Sequence, residues 1–395
     1  MIERESLQQA LTKAEKVLAI LEEQVAGHTS LSVPPAKLIE LDEQRKKVAE
    51  LRERLQLLGP RPSLPTSTSV KSFKNLPAAN PLEKHYNELM DTLVKGKLVV
   101  FLGSSINRCG REQGIEWQPG QHLPAGNELA TYLADIFGCD FRDSSNLMQI
   151  SQFIDVDKGY GALYEELHKL FNQNYAPNLV HEFFALLPAV LREKGFSPRP
   201  LLFVTTNYDN VLEQAFEKAG LNYDVVSYVA EGENRGKFLY WPRGSTESEV
   251  VERPNEADKI SLEERSVILK IHGMVDRSEQ EMDSFAITED HHIGYLAQTE
   301  ISKRLPYKLV VSLKNNSYLF LGYNLRDWNS RVILNRLWQE QRFKFTSWAV
   351  ELDPQELDSK FWMKHGVKLL DIPLEEYLSN LSRHLEALPA KEERL

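Results

Sequence analysis

Four short segments of the chain place reactive residue types directly after apolar runs. In LLFVTTNYDN (201–210) a strand-like run ends at Thr205 and Thr206, and Asn207, Tyr208 and Asp209 follow before a helical pattern begins. In an open parallel sheet, ligands bind beyond the carboxyl ends of the strands, so these polar groups stand where a ligand would sit. An asparagine amide both donates and accepts hydrogen bonds, whereas an ionised carboxylate only accepts. Helix capping alone would account for one of them, but less readily for the whole cluster. VILKIHG (267–273) delivers His272 to the same edge. An imidazole titrates near neutral pH and can take a proton from a hydroxyl or from water, although a histidine after a strand is more often structural. LVVFLG opens into Gly103, Ser104, Ser105, Ile106 and Asn107, and YLFLG opens into Gly322, Tyr323 and Asn324. A glycine after a buried strand lets backbone amides approach a phosphate closely, but the full GxGxxG pattern is absent, so neither turn identifies a nucleotide site alone.

Residues with these roles need rigid carriers. Period and composition predict strands at Lys97–Leu102, Pro200–Thr205, Val267–His272, Tyr318–Gly322, Ser347–Leu352 and Val367–Ile372. Helical patterns separate them at Asn127–Phe137, Leu147–Phe171, Asn178–Lys194, Asn210–Ala219 and Leu374–Leu388. Alternating strands and helices imply an α/β fold, a Rossmann-like parallel sheet with helices on both faces and a helical insertion. Residues 229–264, acidic and poor in apolar groups outside Phe238–Trp241, read as an irregular surface insertion.

The first sixty residues follow another rule. Leu7, Leu11, Ala14, Leu18, Leu21 and Val25 make one narrow helical seam; Leu38, Leu41, Val48, Leu51, Leu55 and Leu58 make a second, and GHTSLSVPP lies between them. The expected organisation is a helical hairpin at 1–58, a Pro/Ser/Thr-rich linker at 59–80 and a catalytic domain at 81–395. A hairpin this small buries little surface by itself, so its seams are expected to meet copies of themselves or a partner. The competing reading is a solvated helical arm.

Composition narrows the classes. The 395 residues carry 47 Lys+Arg against 57 Asp+Glu, a net charge of −10, which argues against direct nucleic-acid binding as the main task. Two cysteines, Cys109 and Cys139, cannot build a four-cysteine zinc site, and no zinc or other metal is expected. The opening MIERES carries acids where a secretory signal would be basic and then apolar, and no run reaches the roughly 18 apolar residues of a membrane span, so a cytoplasmic protein without membrane association is expected.

Taken in order, GSSIN (103–107), TTNYD (205–209), IHG (271–273) and GYNLRDW (322–328), with ITEDHHIGYL (287–296), resemble the sirtuin family, specifically its bacterial NAD-hydrolysing, anti-phage branch. The resemblance covers about Pro81 to Leu388. It implies that NAD is the substrate and that Asn207, Asp209 and His272 form the catalytic group. Asn207 would hold the attacking water and ribose hydroxyls, Asp209 the nicotinamide carboxamide, and His272 would act as general base. It also implies that Gly103, Ser104 and Ser105 line the pyrophosphate, that Gly322 and Asn324 hold the adenosine ribose, and that Asn107, Thr206 and Tyr323 belong to the same NAD-binding set. Two departures stand out: Ser104 and Ser105 replace the family's Ala and Gly, and Asn324 replaces Ser.

Three activities fit this resemblance to different degrees. NAD glycohydrolysis agrees with the missing zinc cysteines and the retained Asn207 and His272. Protein deacylation or ADP-ribosyl transfer fits the fold but not the cysteine count. A silent NAD- or ADP-ribose-binding module would tolerate loss of the histidine, which is present. Constant NAD hydrolysis is toxic, so the resemblance further implies a homo-oligomer under a separate sensor, such as an ATPase, an Argonaute or a second-messenger sensor.

Overall fold

The structure, a computed structural model, describes residues 14, 44–48, 81–112, 114–139, 145–245, 247–254, 259–297, 303–323, 325, 331, 334 and 345–394. The chain divides into two compact units, Met1–Leu76 and Pro77–Leu395. In the first, Ala14 and residues 44–48 are helical. Ala14 and Val48, one from each expected seam, are buried, and the Gln44 Nε2 donates to the Ala14 carbonyl at 2.8 Å. The remainder of the expected hairpin and the 59–80 linker lie outside the described residues.

The second unit is built on a nine-stranded sheet. Its strands are β1 (Leu98–Leu102), β2 (Leu202–Thr205), β3 (Tyr223–Tyr228), β4 (Phe238–Trp241), β5 (Glu249–Val250), β6 (Ser266–Lys270), β9 (Ser317–Leu321), β10 (Ser347–Glu351) and β11 (Val367–Asp371). A separate two-stranded ribbon pairs β7 (Gly273–Met274) with β8 (Ser284–Phe285). The order across the large sheet is β11-β10-β9-β1-β2-β6-β3-β4-β5. It is parallel from β11 to β3, and β4 and β5 add an antiparallel edge. β1 leads to β2 on one side, while its other neighbour β9 arrives much later, so the winding reverses between β1 and β9. Such a reversal opens a crevice at the carboxyl ends of the two strands.

Alternation along the strands divides their side chains between two cores. Leu98, Val100 and Leu102 point to one face, where they meet Phe203, Ile268, Leu319 and Trp348 beneath α1 (Pro81–Val94), α5 (Leu179–Glu193), α6 (Val211–Lys218) and α10 (Leu374–Glu386). Val99 and Phe101 point to the other, with Leu202, Val204, Leu269, Tyr318 and Phe320, beneath α8 (Tyr307–Asn315) and α9 (Glu356–Lys364). Burial on both faces explains why these strands read as continuous apolar runs rather than as alternating ones.

A third core belongs to the segment between β1 and β2. Here α2 (Gly126–Phe137), α3 (Leu147–Lys158) and α4 (Tyr160–Phe171) pack Leu129, Leu133, Ile150, Ile154, Leu163 and Leu167 together with Tyr208, Val211, Val275 and Phe285. This is the expected helical insertion, seated on the turn that follows β2. The sequence pattern predicted one helix over Leu147–Phe171, whereas Gly159, at φ 86°, divides it into α3 and α4. A positive φ is open to glycine without a Cβ penalty and ends the first helix there.

The six predicted strands are present within one or two residues of their expected bounds, but the expected irregular insertion at 229–264 is corrected. Phe238–Trp241 forms β4, with Phe238 and Tyr240 buried, and Glu249–Val250 forms β5. Pairing to β3 decides the outcome: Val225 lies opposite Trp241 and Tyr228 opposite Phe238, so a four-residue apolar run becomes part of the sheet. Among the described residues no helix is long and apolar enough to cross a membrane.

Candidate active site

Register places the four motif turns at one height. Leu102 pairs with Thr205 on one side and with Leu321 on the other, and Thr205 pairs with Lys270. Leu321, Leu102, Thr205 and Lys270 therefore form one row across β9, β1, β2 and β6, and each motif begins immediately beyond it. Neighbouring strands are about 4.8 Å apart. Asn207 and His272 each lie two residues past the paired Thr205 and Lys270.

The turns after β1 and β9 are packed backbone to backbone. The Gly103 N–H donates to the Leu321 carbonyl at 3.0 Å, and the Ser105 N–H donates to the Gly322 carbonyl at 3.1 Å. A Cβ on Gly103 would stand 2.4 Å from the Gly322 oxygen, and one on Gly322, at φ 62°, would stand 2.3 Å from the Ile106 nitrogen. The amides of Gly103, Ser105 and Ile106 are all engaged within the protein, the last with the Gly103 carbonyl at 3.2 Å. These glycines thus serve close packing at the switch point, and the half-buried Ser104 and Ser105 are what this turn offers to a ligand. The Ser104 hydroxyl also accepts from Gly126 N–H at the start of α2. Gly322→Ala is expected to cost at least about 2 kcal/mol through left-handed strain plus the clash with Ile106. Urea denaturation checks this, and an unchanged midpoint would show that the two turns can separate.

Four of the residues picked out by sequence carry a buried polar atom with no hydrogen-bonding partner: Asn107 Oδ1, Asn207 Oδ1, Asp209 Oδ2 and His272 Nε2. The rest of each group is fixed. Asn107 Nδ2 donates to the Pro124 carbonyl at 2.9 Å, leaving its oxygen. Asn207 N–H donates to Thr205 Oγ1 at 3.0 Å, and Thr206 N–H extends the pairing of β2 to the Leu102 carbonyl at 3.2 Å. Asp209 Oδ1 accepts from the Val211 N–H at 3.0 Å at the start of α6, so the capping role suggested by sequence is real and occupies one oxygen only. Tyr208 turns away and donates to the Ala286 carbonyl at 3.1 Å, which ties this turn to the segment after β8.

His272 keeps some of its surface open to solvent while its Nε2 is buried. Burial holds its pKa well below the usual imidazole value, and the neighbouring His292 pushes in the same direction. At neutral pH it is therefore an uncharged base. The sequence reading did not single out His292. α7 (Glu289–Ala297) brings its ring edge-on to His272 with centroids 5.5 Å apart. Burial lowers His292 to about 4, so it too stays neutral. Next to it, His291 Nδ1 accepts from the Ile287 and Thr288 amides at 3.1 Å each, which places its proton on Nε2 facing Glu231 at 2.9 Å. The signal available in sequence was the His-His pair in ITEDHHIGYL; what it faces is set by tertiary structure.

The remaining residues divide. Tyr323 is buried, with its ring edge-to-face on Phe101 at 4.7 Å, and contributes to the second core. Asn324 lies outside the described residues. Cys109 is a buried free thiol pushed up to about 12 by burial and then by Glu375, which excludes it as a thiolate nucleophile at neutral pH.

The sheet is mostly parallel and reverses between β1 and β9, with an Asn-Tyr-Asp turn and a His-Gly turn at equal height on adjacent strands. Residues 201–370, from the start of β2 into β11, match the family model described as a SIR2-like domain. Across a longer stretch the chain is similar to Defense-associated sirtuin 2 of Bacillus subtilis, 20% identical over 291 residues that make up 72% of this chain and 24% of the relative. The chain thus spans about a quarter of that relative's length.

Proposed function

We propose that the chain hydrolyses NAD to nicotinamide and ADP-ribose, as an NAD-depleting effector in anti-phage defence. One observation carries the reading: partnerless polar atoms on Asn107, Asn207, Asp209 and His272 beyond the carboxyl ends of three adjacent strands of a sirtuin-like sheet. Departure of nicotinamide leaves an oxocarbenium-like ribose that water must capture. Asn207 Oδ1 is the acceptor for that water or for a ribose hydroxyl, Asp209 Oδ2 is the free acceptor for the carboxamide N–H groups, and neutral His272 removes a proton from the hydroxyl or the water. Asn107 Oδ1, Ser104 and Ser105 complete the polar lining on the β1 side. The defence role follows the printed name of the Bacillus subtilis relative and belongs to the same proposal.

Control would reside outside this site. Residues 1–58 are proposed as an assembly element and a separate polypeptide as the sensor, because linking modules raises the local concentration of what they carry. Incubating the purified chain with NAD and measuring free nicotinamide tests the activity. Release at a rate no higher than without protein, in the chain and in its complex with a genomically adjacent partner, would leave a binding module. Addition of an acylated peptide separates hydrolysis from deacylation. Light scattering with and without residues 1–58 reads the assembly role.

A further inference from the structure

Lys270 ends β6 two residues before His272 and is 1% exposed. Its ammonium stands 2.9 Å from Glu213 Oε1 in the first turn of α6, and it donates a hydrogen bond to the backbone carbonyl of Asp209. Glu213 is buried as well, and burial raises its carboxyl above the usual range, with Lys270 opposing the rise. Two charges in a core gain little from each other beyond what desolvation costs them, and an apolar pair of similar volume is commonly as stable. Stability therefore does not explain the pair. What the lysine adds that an apolar residue could not is its hold on the Asp209 carbonyl.

That carbonyl belongs to the turn carrying Asn207 and Asp209, whereas Lys270 belongs to the strand carrying His272. Further anchors of the turn are Asn207 N–H to Thr205 on its own strand, Asp209 Oδ1 to Val211 on α6, the Tyr208 hydroxyl to the Ala286 carbonyl and the Tyr208 carbonyl to Val275 N–H at 3.0 Å, while at the root of the turn Ile271 N–H donates to the Thr205 carbonyl at 3.1 Å. We infer that Lys270 is a positioning residue that fixes the Asn207–Asp209 turn against the His272 strand, with Glu213 holding the lysine in place through its 2.9 Å ion pair. The role in catalysis rests on the NAD-hydrolysis reading above; the tether itself does not.

Lys270→Met alone would leave Glu213 buried and unpaired and risks unfolding the protein. Two double variants remove both charges together, Lys270→Met/Glu213→Leu and Lys270→Met/Glu213→Gln, so that a packing fault peculiar to one does not decide the result. In whichever variant melts near the wild-type temperature, kcat for nicotinamide release is expected to fall at least tenfold, with KM for NAD within about threefold. Amide hydrogen exchange at Val211 and Val275, which flank the tethered turn, is expected to quicken at least tenfold while global stability is unchanged. A kcat within twofold of wild type, or wild-type exchange at both amides, would make the pair merely structural. If the wild-type chain releases no nicotinamide, the hydrolysis reading fails and the exchange measurement alone decides the tether.

Discussion

His272→Ala and Asn207→Ala are each expected to reduce nicotinamide release at least 100-fold, with the melting temperature unchanged within a few degrees. General acid–base catalysis is worth about 10²–10⁴ in rate, so a loss below roughly tenfold would remove His272 from that role. Stability should largely survive because His272 Nε2 and Asn207 Oδ1 make no hydrogen bond within the fold. The pH profile supplies a second check. An unperturbed imidazole, with a pKa near 6.5, would be about three-quarters protonated at pH 6 and the rate would fall accordingly. Burial holds His272 well below that value, so the wild-type rate should remain level from pH 8 to about 6.

Acid is expected to destabilise the same unit strongly. His85, His181 and His292 are each lowered to about 4, in every case first by burial. Between that value and the unfolded pKa near 6.5 the unfolded chain binds more protons than the native one, so stability falls as pH drops through this window. At pH 5.5 each of these histidines costs on the order of 1 kcal/mol relative to neutral pH, a few kcal/mol together. Burial lowers His272 and His291 as well, which adds to the loss, while Glu213 and Asp283, whose carboxyls burial raises, act in the opposite sense. Urea midpoints at pH 7.5 and 5.5 measure the difference, and equal midpoints would contradict it. His85→Phe should lessen the pH dependence, at a nearly constant cost of about 1 kcal/mol for the lost bond to the Tyr377 hydroxyl.

The motif strands were legible because they are buried on both faces and their turns interrupt apolar runs sharply. β3 was missed for a physical reason. All of Tyr223–Tyr228 is buried, yet it contains Asp224 and Ser227, which no apolar template accepts. Asp224 is tolerated there because the Tyr240 hydroxyl, the Arg243 amide and the Arg265 guanidinium meet it, and all three come from later in the chain. Lys270 stood in plain view inside VILKI, but its purpose depends on Glu213 and Asp209, sixty residues earlier. Gly103 was read as making room for a phosphate; that it also makes room for the backbone at Gly322 depends on a strand more than two hundred residues later. His292 needed α7 to fold back onto the His-Gly turn before it had a neighbour.

The pairing of β1 with β9 sets the order in which the protein can become active during synthesis. Leu102 and Leu321 are adjacent in the sheet but about 220 residues apart in the chain. At roughly 5–20 residues per second, ribosomes take on the order of 10–45 s to pass from one to the other. In the second half of that interval the nascent chain already displays Asn207 and, later, His272, but throughout it the turn after β1 has no Gly322 backbone to dock against. The crevice closes only when most of the polypeptide has emerged. For a protein whose proposed substrate is the host's own NAD, a truncated or stalled product would thus lack the strand that completes the site.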